Sequence, residues 1–88
     1  MDELLVIVLT LYSRPGCHLC DEMKAVVACV GRGIPLTLDE IDISADPALE
    51  RRYGLEIPVL LVNGRTAAKV RIDENALRRL LRQRAPGV

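Results

Sequence analysis

The sequence contains no phenylalanine and no tryptophan, and its only aromatic residues are Tyr12 and Tyr53. A core built on stacked aromatic rings is therefore excluded, and aliphatic side chains must fill the interior. Because 50% of the residues are apolar, the composition predicts a folded chain rather than a disordered one. Aliphatic, β-branched content of this kind is typical of a buried sheet with helices packed on it.

The sequence also lacks net charge, because its 12 basic and 12 acidic side chains cancel. Nucleic acids and anionic membranes attract strongly basic proteins, so neither is predicted as a partner. The bases are nevertheless concentrated in residues 51–88. We interpret the arginines of residues 78–84 as the solvated face and dipole-compensating end of a last helix.

No signal peptide or membrane span is recognisable in the sequence. The apolar run from Leu4 to Leu11 is too short to cross a bilayer. It follows Asp2 and Glu3 instead of positive residues, and no small-residue cleavage site comes after it. These features predict a buried strand in a cytoplasmic protein. In that compartment a C-x-x-C pair is typical of catalysis or metal binding rather than of a structural disulfide.

The spacing of apolar residues predicts a βαβ unit in the first half of the chain. Residues 4–12 indicate a strand buried on both faces, and residues 35–43 alternate as a second strand. Between them the spacing indicates a helix with one buried stripe. The stripe contains Leu19, Met23, Val26, Val27 and Val30. A strand, a helix and a strand in this order predict a parallel pair with a right-handed crossover.

The second half predicts two further helices and a β-hairpin. One helix begins at Asp46-Pro47, where Asp46 is the cap, and the last begins near Asp73. Asn63-Gly64 is a two-residue hairpin signal between strands over residues 57–62 and 65–71. The whole pattern predicts a single α/β domain over residues 1–88. Its order is βαβαββα, with a four-stranded mixed sheet and helices on both faces.

The sequence Cys17-His18-Leu19-Cys20 lies where the first strand passes into the first helix. A cysteine at a helix N-terminus faces unpaired N–H groups and the positive end of the dipole, which lower its pKa and favour the nucleophilic thiolate. Cys20 lies one helical turn further along the same face. We therefore predict that Cys17 attacks a substrate disulfide and that Cys20 resolves the mixed disulfide.

Other interpretations of this pair remain open at this stage. A structural zinc site needs four ligands, and no second C-x-x-C or His pair is present to complete one. Cys29 is interpreted as a small hydrophobic residue that packs. Cys17 from two protomers could also ligate a metal or an iron–sulfur cluster, and a non-catalytic interaction domain is a further alternative. The favoured interpretation predicts no metal and no bound cofactor.

Two segments resemble those of a known family. Residues 11–20, LYSRPGCHLC, resemble the first strand and active-site loop of glutaredoxins and their relatives in the thioredoxin superfamily. Residues 53–64, YGLEIPVLLVNG, are similar to the segment that carries a cis-proline in thioredoxins and glutaredoxins. The resemblance implies a thioredoxin-like fold and a thiol–disulfide oxidoreductase. Its substrates would be glutathione or a protein disulfide, and a reductase would regenerate it.

The resemblance also implies further site residues. Arg14 would contact substrate, and Pro58 would be the cis-proline, leaving the backbone of Ile57 free to pair with an extended substrate. His18 and Leu19 replace the Pro-Tyr common between the two cysteines of glutaredoxins. His18 is interpreted either as a cation that stabilises the Cys17 thiolate or as an ordinary exposed histidine. The Gly-Gly…Asp-Asp segment that glutaredoxins use for glutathione is poorly matched by residues 67–75. Asp73 and Glu74 there either accept from a ligand amine or open the last helix.

Overall fold

The chain folds into four β-strands and three α-helices in a computed structural model, which describes residues 6–84. The strands are β1 (Ile7–Ser13), β2 (Leu36–Asp42), β3 (Val59–Val62) and β4 (Arg65–Lys69), and the helices are α1 (His18–Val30), α2 (Pro47–Tyr53) and α3 (Glu74–Arg84). The predicted order is thereby confirmed. Within residues 6–84, no helix is long and apolar enough to cross a membrane.

The four strands form one mixed sheet in the order β2-β1-β3-β4. β1 and β2 are parallel, and Ile7 is paired with Leu36 at the start of their register. β3 is antiparallel to both β1 and β4. Because β1 lies inside the sheet, the loop that follows it emerges near the middle of the sheet edge. The predicted βαβ unit and mixed sheet are both confirmed.

The hydrophobic core lies between one face of the sheet and helices α1 and α3. Alternate residues of β1 point into it, together with a stripe of α1 and the inner side of α3. None of its buried members is aromatic, because the sequence contains no phenylalanine and no tryptophan. The buried members are Ile7, Leu9, Leu11, Met23, Val27, Val30, Leu60, Val62, Leu77 and Leu81.

The opposite face of the sheet is covered only in part. Tyr12 of β1 packs against Tyr53 of α2, with ring centroids 4.7 Å apart. Val8 on the same face is 45% exposed, and Ile41 of β2 is 38% exposed. The prediction that the first strand is buried on both faces is therefore wrong, because α2 has only 7 residues and covers one end of β1. Leu4 and Leu5, the first apolar residues of that prediction, lie outside the described residues.

The hairpin between β3 and β4 forms at the predicted dipeptide. Asn63 has a φ of 49° and Gly64 a φ of 84°, which are the left-handed values of a type I′ turn. Such a turn matches the twist of the flanking strands, and glycine adopts its second position without steric cost. The Asn63 side chain also accepts a hydrogen bond from the Val8 N–H, which ties the turn to β1.

Replacing the cap of α2 is expected to weaken the fold modestly. The Asp46 carboxylate accepts hydrogen bonds from the N–H groups of Ala48 at 2.9 Å and Leu49 at 3.4 Å. We expect Asp46→Ala to lower the free energy of unfolding by about 1 kcal/mol in urea titrations. Asp39→Ala is the control, because Asp39 is an exposed strand residue that caps nothing, and a change within about 0.5 kcal/mol is expected there. Equal effects of both variants would contradict the capping role.

Candidate active site

The loop that leads to Cys17 is a type II turn. The Cys17 N–H donates to the Arg14 carbonyl at 3.3 Å, which closes the four-residue turn. Pro15 supplies the fixed φ of the second position, and Gly16 takes the third with a φ of 79°. The sequence therefore folds locally so that Cys17 is presented directly at the start of α1.

Cys17 is the N-cap of α1, as the sequence predicts. Its Sγ accepts a hydrogen bond from the Cys20 N–H at 3.1 Å. In the reduced protein, a thiolate at this position has a backbone donor and the positive end of the helix dipole beside it. Both interactions favour the thiolate over the neutral thiol, which is the physical requirement for a nucleophilic cysteine.

The two cysteines of the pair are unequal in exposure. Cys20 is 2% exposed, whereas Cys17 is only partly buried. Their Cα atoms lie 5.2 Å apart and the structure joins them in a disulfide. Cys29 is a free thiol, partly buried on the same helix. A reagent from solvent therefore reaches Cys17 more easily than Cys20.

The Ile57–Pro58 segment lies at the same end of the sheet as the cysteine pair. The antiparallel β1–β3 register pairs Tyr12 with Val59. Pro58, one residue before Val59, therefore lies next to the end of β1, where the loop to Cys17 begins. The peptide bond between Ile57 and Pro58 is cis, as the resemblance implies. No hydrogen bond of the Ile57 backbone is found within the described part of the chain. Within residues 6–84, the backbone groups of Ile57 therefore take no part in the hydrogen bonds of the sheet.

Two ion pairs flank the loop on its other side. Arg14 pairs with Glu50 of α2. Lys24 of α1 lies 3.2 Å from Glu40 of β2, and the hydrogen bond and negative charge of Glu40 raise the pKa of the lysine. Glu40 also accepts from the buried Ser13 hydroxyl at 2.8 Å. No sequence pattern indicates these contacts, since partners separated by 16 to 36 residues meet only in the folded chain.

Asp42 lies at the end of β2, facing the same loop. The side-chain and backbone hydrogen bonds from Ser44 lower the pKa of its carboxyl group, and the charge of Arg14 adds to this lowering. Asp42 is therefore held as a carboxylate. The loop before Cys17 accordingly has ionised acids beside it as well as Arg14.

A mainly apolar groove of about 390 Å³ lies next to the cysteine pair, on the side of the segment that precedes α3. It lies between α1 and residues 70–73, and Leu19 of the C-x-x-C sequence is part of its wall. Val70 has a φ of 70°, which is unusual for a β-branched residue, and its N–H donates to the Pro58 carbonyl at 2.7 Å. The sequence did not indicate this backbone feature, because left-handed positions are expected at glycine or asparagine.

The remaining candidate residues have simpler surroundings. The Asp73 carboxylate accepts a hydrogen bond from the Ala76 N–H at 2.7 Å. Of the two interpretations of Asp73, this contact supports the one in which it begins the last helix. His18 is exposed as the first residue of α1, and its role towards Cys17 stays a prediction. Among residues 6–84, no three His, Cys, Asp or Glu side chains are grouped so that they could hold a metal ion.

The four-stranded mixed sheet, its three helices and the cysteine pair at the start of α1 together define a thioredoxin-fold protein. The two cysteines of this pair lie at disulfide distance. Comparison with known proteins specifies the family. Residues 8–82 match the model of the family described as Glutaredoxin-like domain (DUF836). The chain belongs to this family. The resemblance found in the two sequence segments is thereby confirmed.

Solved structures agree with this assignment. The chain is 38% identical to the structural-genomics target protein XcR50 from X. campestris, with a TM-score of 0.74 over 85% of this chain and 96% of that one. A thioredoxin variant from Halobacterium salinarum is 26% identical, with a TM-score of 0.65 over 93% of this chain and 77% of that one. An uncharacterized protein of Mycobacterium tuberculosis is 29% identical over 77% of this chain and 75% of its own length. Fold, family and cysteine pair together fit a redox-type function.

Proposed function

We propose that the protein is a thiol–disulfide oxidoreductase in which Cys17 is the nucleophile and Cys20 the resolving thiol. The observation that carries this proposal is the position of Cys17 as the N-cap of α1, partly exposed, with Cys20 buried one turn behind it. The match of residues 8–82 to the glutaredoxin-like family model supports the proposal. The substrate is a disulfide of a protein or of glutathione.

The reaction begins with the reduced protein. The Cys17 thiolate attacks one sulfur of the substrate disulfide, the substrate S–S bond breaks, and the departing sulfur takes up a proton as a thiol. A mixed disulfide between Cys17 and the other half of the substrate remains. The Cys20 N–H, which lies 3.1 Å from the Cys17 Sγ, is placed to stabilise the thiolate before the attack.

The second step uses the short distance between the two cysteines. Cys20 loses its proton and attacks the Cys17 sulfur, the bond to the substrate breaks, and the second substrate thiol leaves. The product is the Cys17–Cys20 disulfide, for which the Cα separation of 5.2 Å is suitable. A dithiol reductant, such as a reductase, returns the pair to its starting state.

The surroundings of the pair support binding of an extended substrate. The N–H and C=O of Ile57 are available for backbone hydrogen bonds of the kind that strands exchange. We propose that substrate lies along Ile57-Pro58, with Arg14 and His18 on the other side of the loop. The apolar wall that includes Leu19 is open to a neighbouring side chain of the substrate.

The order of thiol reactivity tests this proposal. In the reduced protein near pH 7, we expect iodoacetamide to label Cys17 about tenfold faster than Cys20, because a helix N-terminus increases the thiolate fraction and burial decreases access. Peptide mass mapping at successive times measures all three thiols. Cys29 is the internal control, since it lies within the same helix and lacks the N-terminal position. Labelling of Cys20 or Cys29 ahead of Cys17 would refute the assignment of the nucleophile.

A further inference from the structure

Arg14 lies only three residues before Cys17, but its guanidinium is paired with a carboxylate of α2. In the turn that joins them, the Cα atoms of Arg14 and Cys17 lie within about 7 Å of each other. The Arg14 guanidinium, however, pairs with the Glu50 carboxylate of α2, and both side chains are only partly buried, at 37% and 40% exposure. The single charged residue of the loop is thus held against α2.

This ion pair lies next to Gly54 at the end of α2. A Cβ atom placed on Gly54 would lie 3.3 Å from Nη2 of Arg14 and 3.0 Å from Oε1 of Glu50. The ion pair therefore lies beside the end of α2. Glu50 limits how far Arg14 can offer its charge to a molecule that approaches Cys17.

The cavity beside the loop has more acids than bases. Its volume is about 420 Å³, and its charged wall residues are Arg14, Asp21, Lys24, Glu40 and Asp42. Lys24 lies 3.2 Å from Glu40 and 3.5 Å from Asp21, so this cation is also paired. With Glu50 included, two cations are surrounded by four carboxylates. An approaching disulfide meets a negative potential on this side of Cys17.

We propose that Glu50 determines the charge specificity of the site: by pairing with Arg14 it withdraws the cation of the active-site loop, so that the protein reacts with neutral and cationic disulfides in preference to anionic ones. This inference rests on the proposed function, because it concerns the substrates of the Cys17 thiolate. It names Glu50 as a positioning residue that acts through Arg14. Glutathione disulfide, whose carboxylates give it net negative charge, belongs to the disfavoured class.

The test compares two small disulfides of opposite charge. Dithiobis(nitrobenzoate) is a dianion and cystamine is a dication. With each, the Cys17 thiolate attacks one sulfur and releases one thiol, and Cys20 then closes the disulfide and releases the second. Second-order rate constants are measured for the reduced protein under single-turnover conditions. The ratio of the two rate constants cancels any change in the intrinsic nucleophilicity of Cys17.

We expect Glu50→Gln to speed the reaction with the dianion by about threefold and to slow that with the dication by about threefold, at an ionic strength of about 0.01 M where the Debye length is about 30 Å. The ratio then changes by about tenfold. Arg14→Gln is expected to move the ratio in the opposite direction, and the double variant to return it towards that of the native protein. All differences should vanish at about 1 M salt, where the Debye length is about 3 Å.

Asp39→Asn is the matched control for the loss of one negative charge. Asp39 is exposed on β2 and pairs in register with Thr10, four residues before Arg14, or about 13 Å along the strand. Its ratio should change clearly less than that of Glu50→Gln. The native protein supplies an independent measurement, since its reaction with the dianion should accelerate with added salt and that with the dication should slow.

The outcomes separate this inference from the proposed function. If Cys17 reacts and Glu50→Gln changes the ratio no more than Asp39→Asn does, Glu50 does not determine charge specificity. A native rate constant for the dianion that falls with added salt would also overturn the inference. If Cys17 in the native protein reacts no faster than Cys20 with either probe, the proposed function itself fails.

Discussion

A stable mixed disulfide is the expected product when reduced Cys20→Ser meets bis(2-hydroxyethyl) disulfide without another reductant. Cys17 remains at the start of α1 and attacks the reagent, but the resolving thiol one turn behind it is absent. Intact-mass measurement should show one hydroxyethylthio group per chain. The native protein should instead close the Cys17–Cys20 disulfide and release both halves of the reagent as thiols.

Cys17→Ser separates the two roles. We expect this variant to form no comparable adduct over the same time, because Cys20 is 2% exposed and lacks the N-cap position. Cys29→Ser is the matched control, since it also removes one thiol from α1, and it should behave as the native protein does. Equal adduct formation by Cys17→Ser and Cys20→Ser would show that the two thiols do not divide the reaction.

Truncation of a single core leucine is expected to have the largest effect on stability. Leu77 of α3 is 0% exposed and belongs to the cluster that joins α3 to α1 and the sheet. We expect Leu77→Ala to lower the free energy of unfolding by about 2–5 kcal/mol, because the substitution removes apolar contacts and leaves a cavity that aliphatic neighbours fill only in part. In a domain of this size, the thermal midpoint should fall by at least about 10 °C.

Leu55→Ala is the matched control for that substitution. Leu55 lies between α2 and the Ile57–Pro58 segment and is fully exposed, at 103% of the reference area. The same change of side chain should therefore alter the free energy of unfolding by no more than about 0.5 kcal/mol. Urea titration of both variants by circular dichroism gives the comparison. A loss at Leu55 as large as that at Leu77 would mean that the core is not where the structure places it.

Local signals explain why most elements could be predicted from the sequence. Asp46-Pro47 begins α2 because a carboxylate cap and a proline at the first helical position act within a few residues. Asn63-Gly64 forms its turn for the same reason. The position of Cys17 follows from a strand, a turn and a helix that are contiguous in the chain. Each of these features is decided by neighbours that the sequence shows side by side.

Features that depend on distant parts of the chain could not be predicted. The exposure of Val8 depends on the length of α2 and on where that helix lies over the sheet. The pairing of Arg14 with Glu50 joins residues 36 positions apart, and no spacing rule connects them. The left-handed backbone at Val70 depends on its hydrogen bond to Pro58 across the sheet end. In all three cases the observed structure is determined by tertiary packing and not by the residues next to it in the sequence.

A redox titration of the cysteine pair tests the central claim most directly. The protein is equilibrated in glutathione buffers of graded potential, with dithiothreitol buffers for the lowest potentials. Its free thiols are then blocked in acid, and the Cys17–Cys20 disulfide is quantified by peptide mass mapping. If the pair exchanges with substrates, it should reduce and re-form reversibly as a two-electron couple, with a midpoint between about −120 and −270 mV. A midpoint below about −300 mV, the range of structural disulfides, would contradict the proposed function.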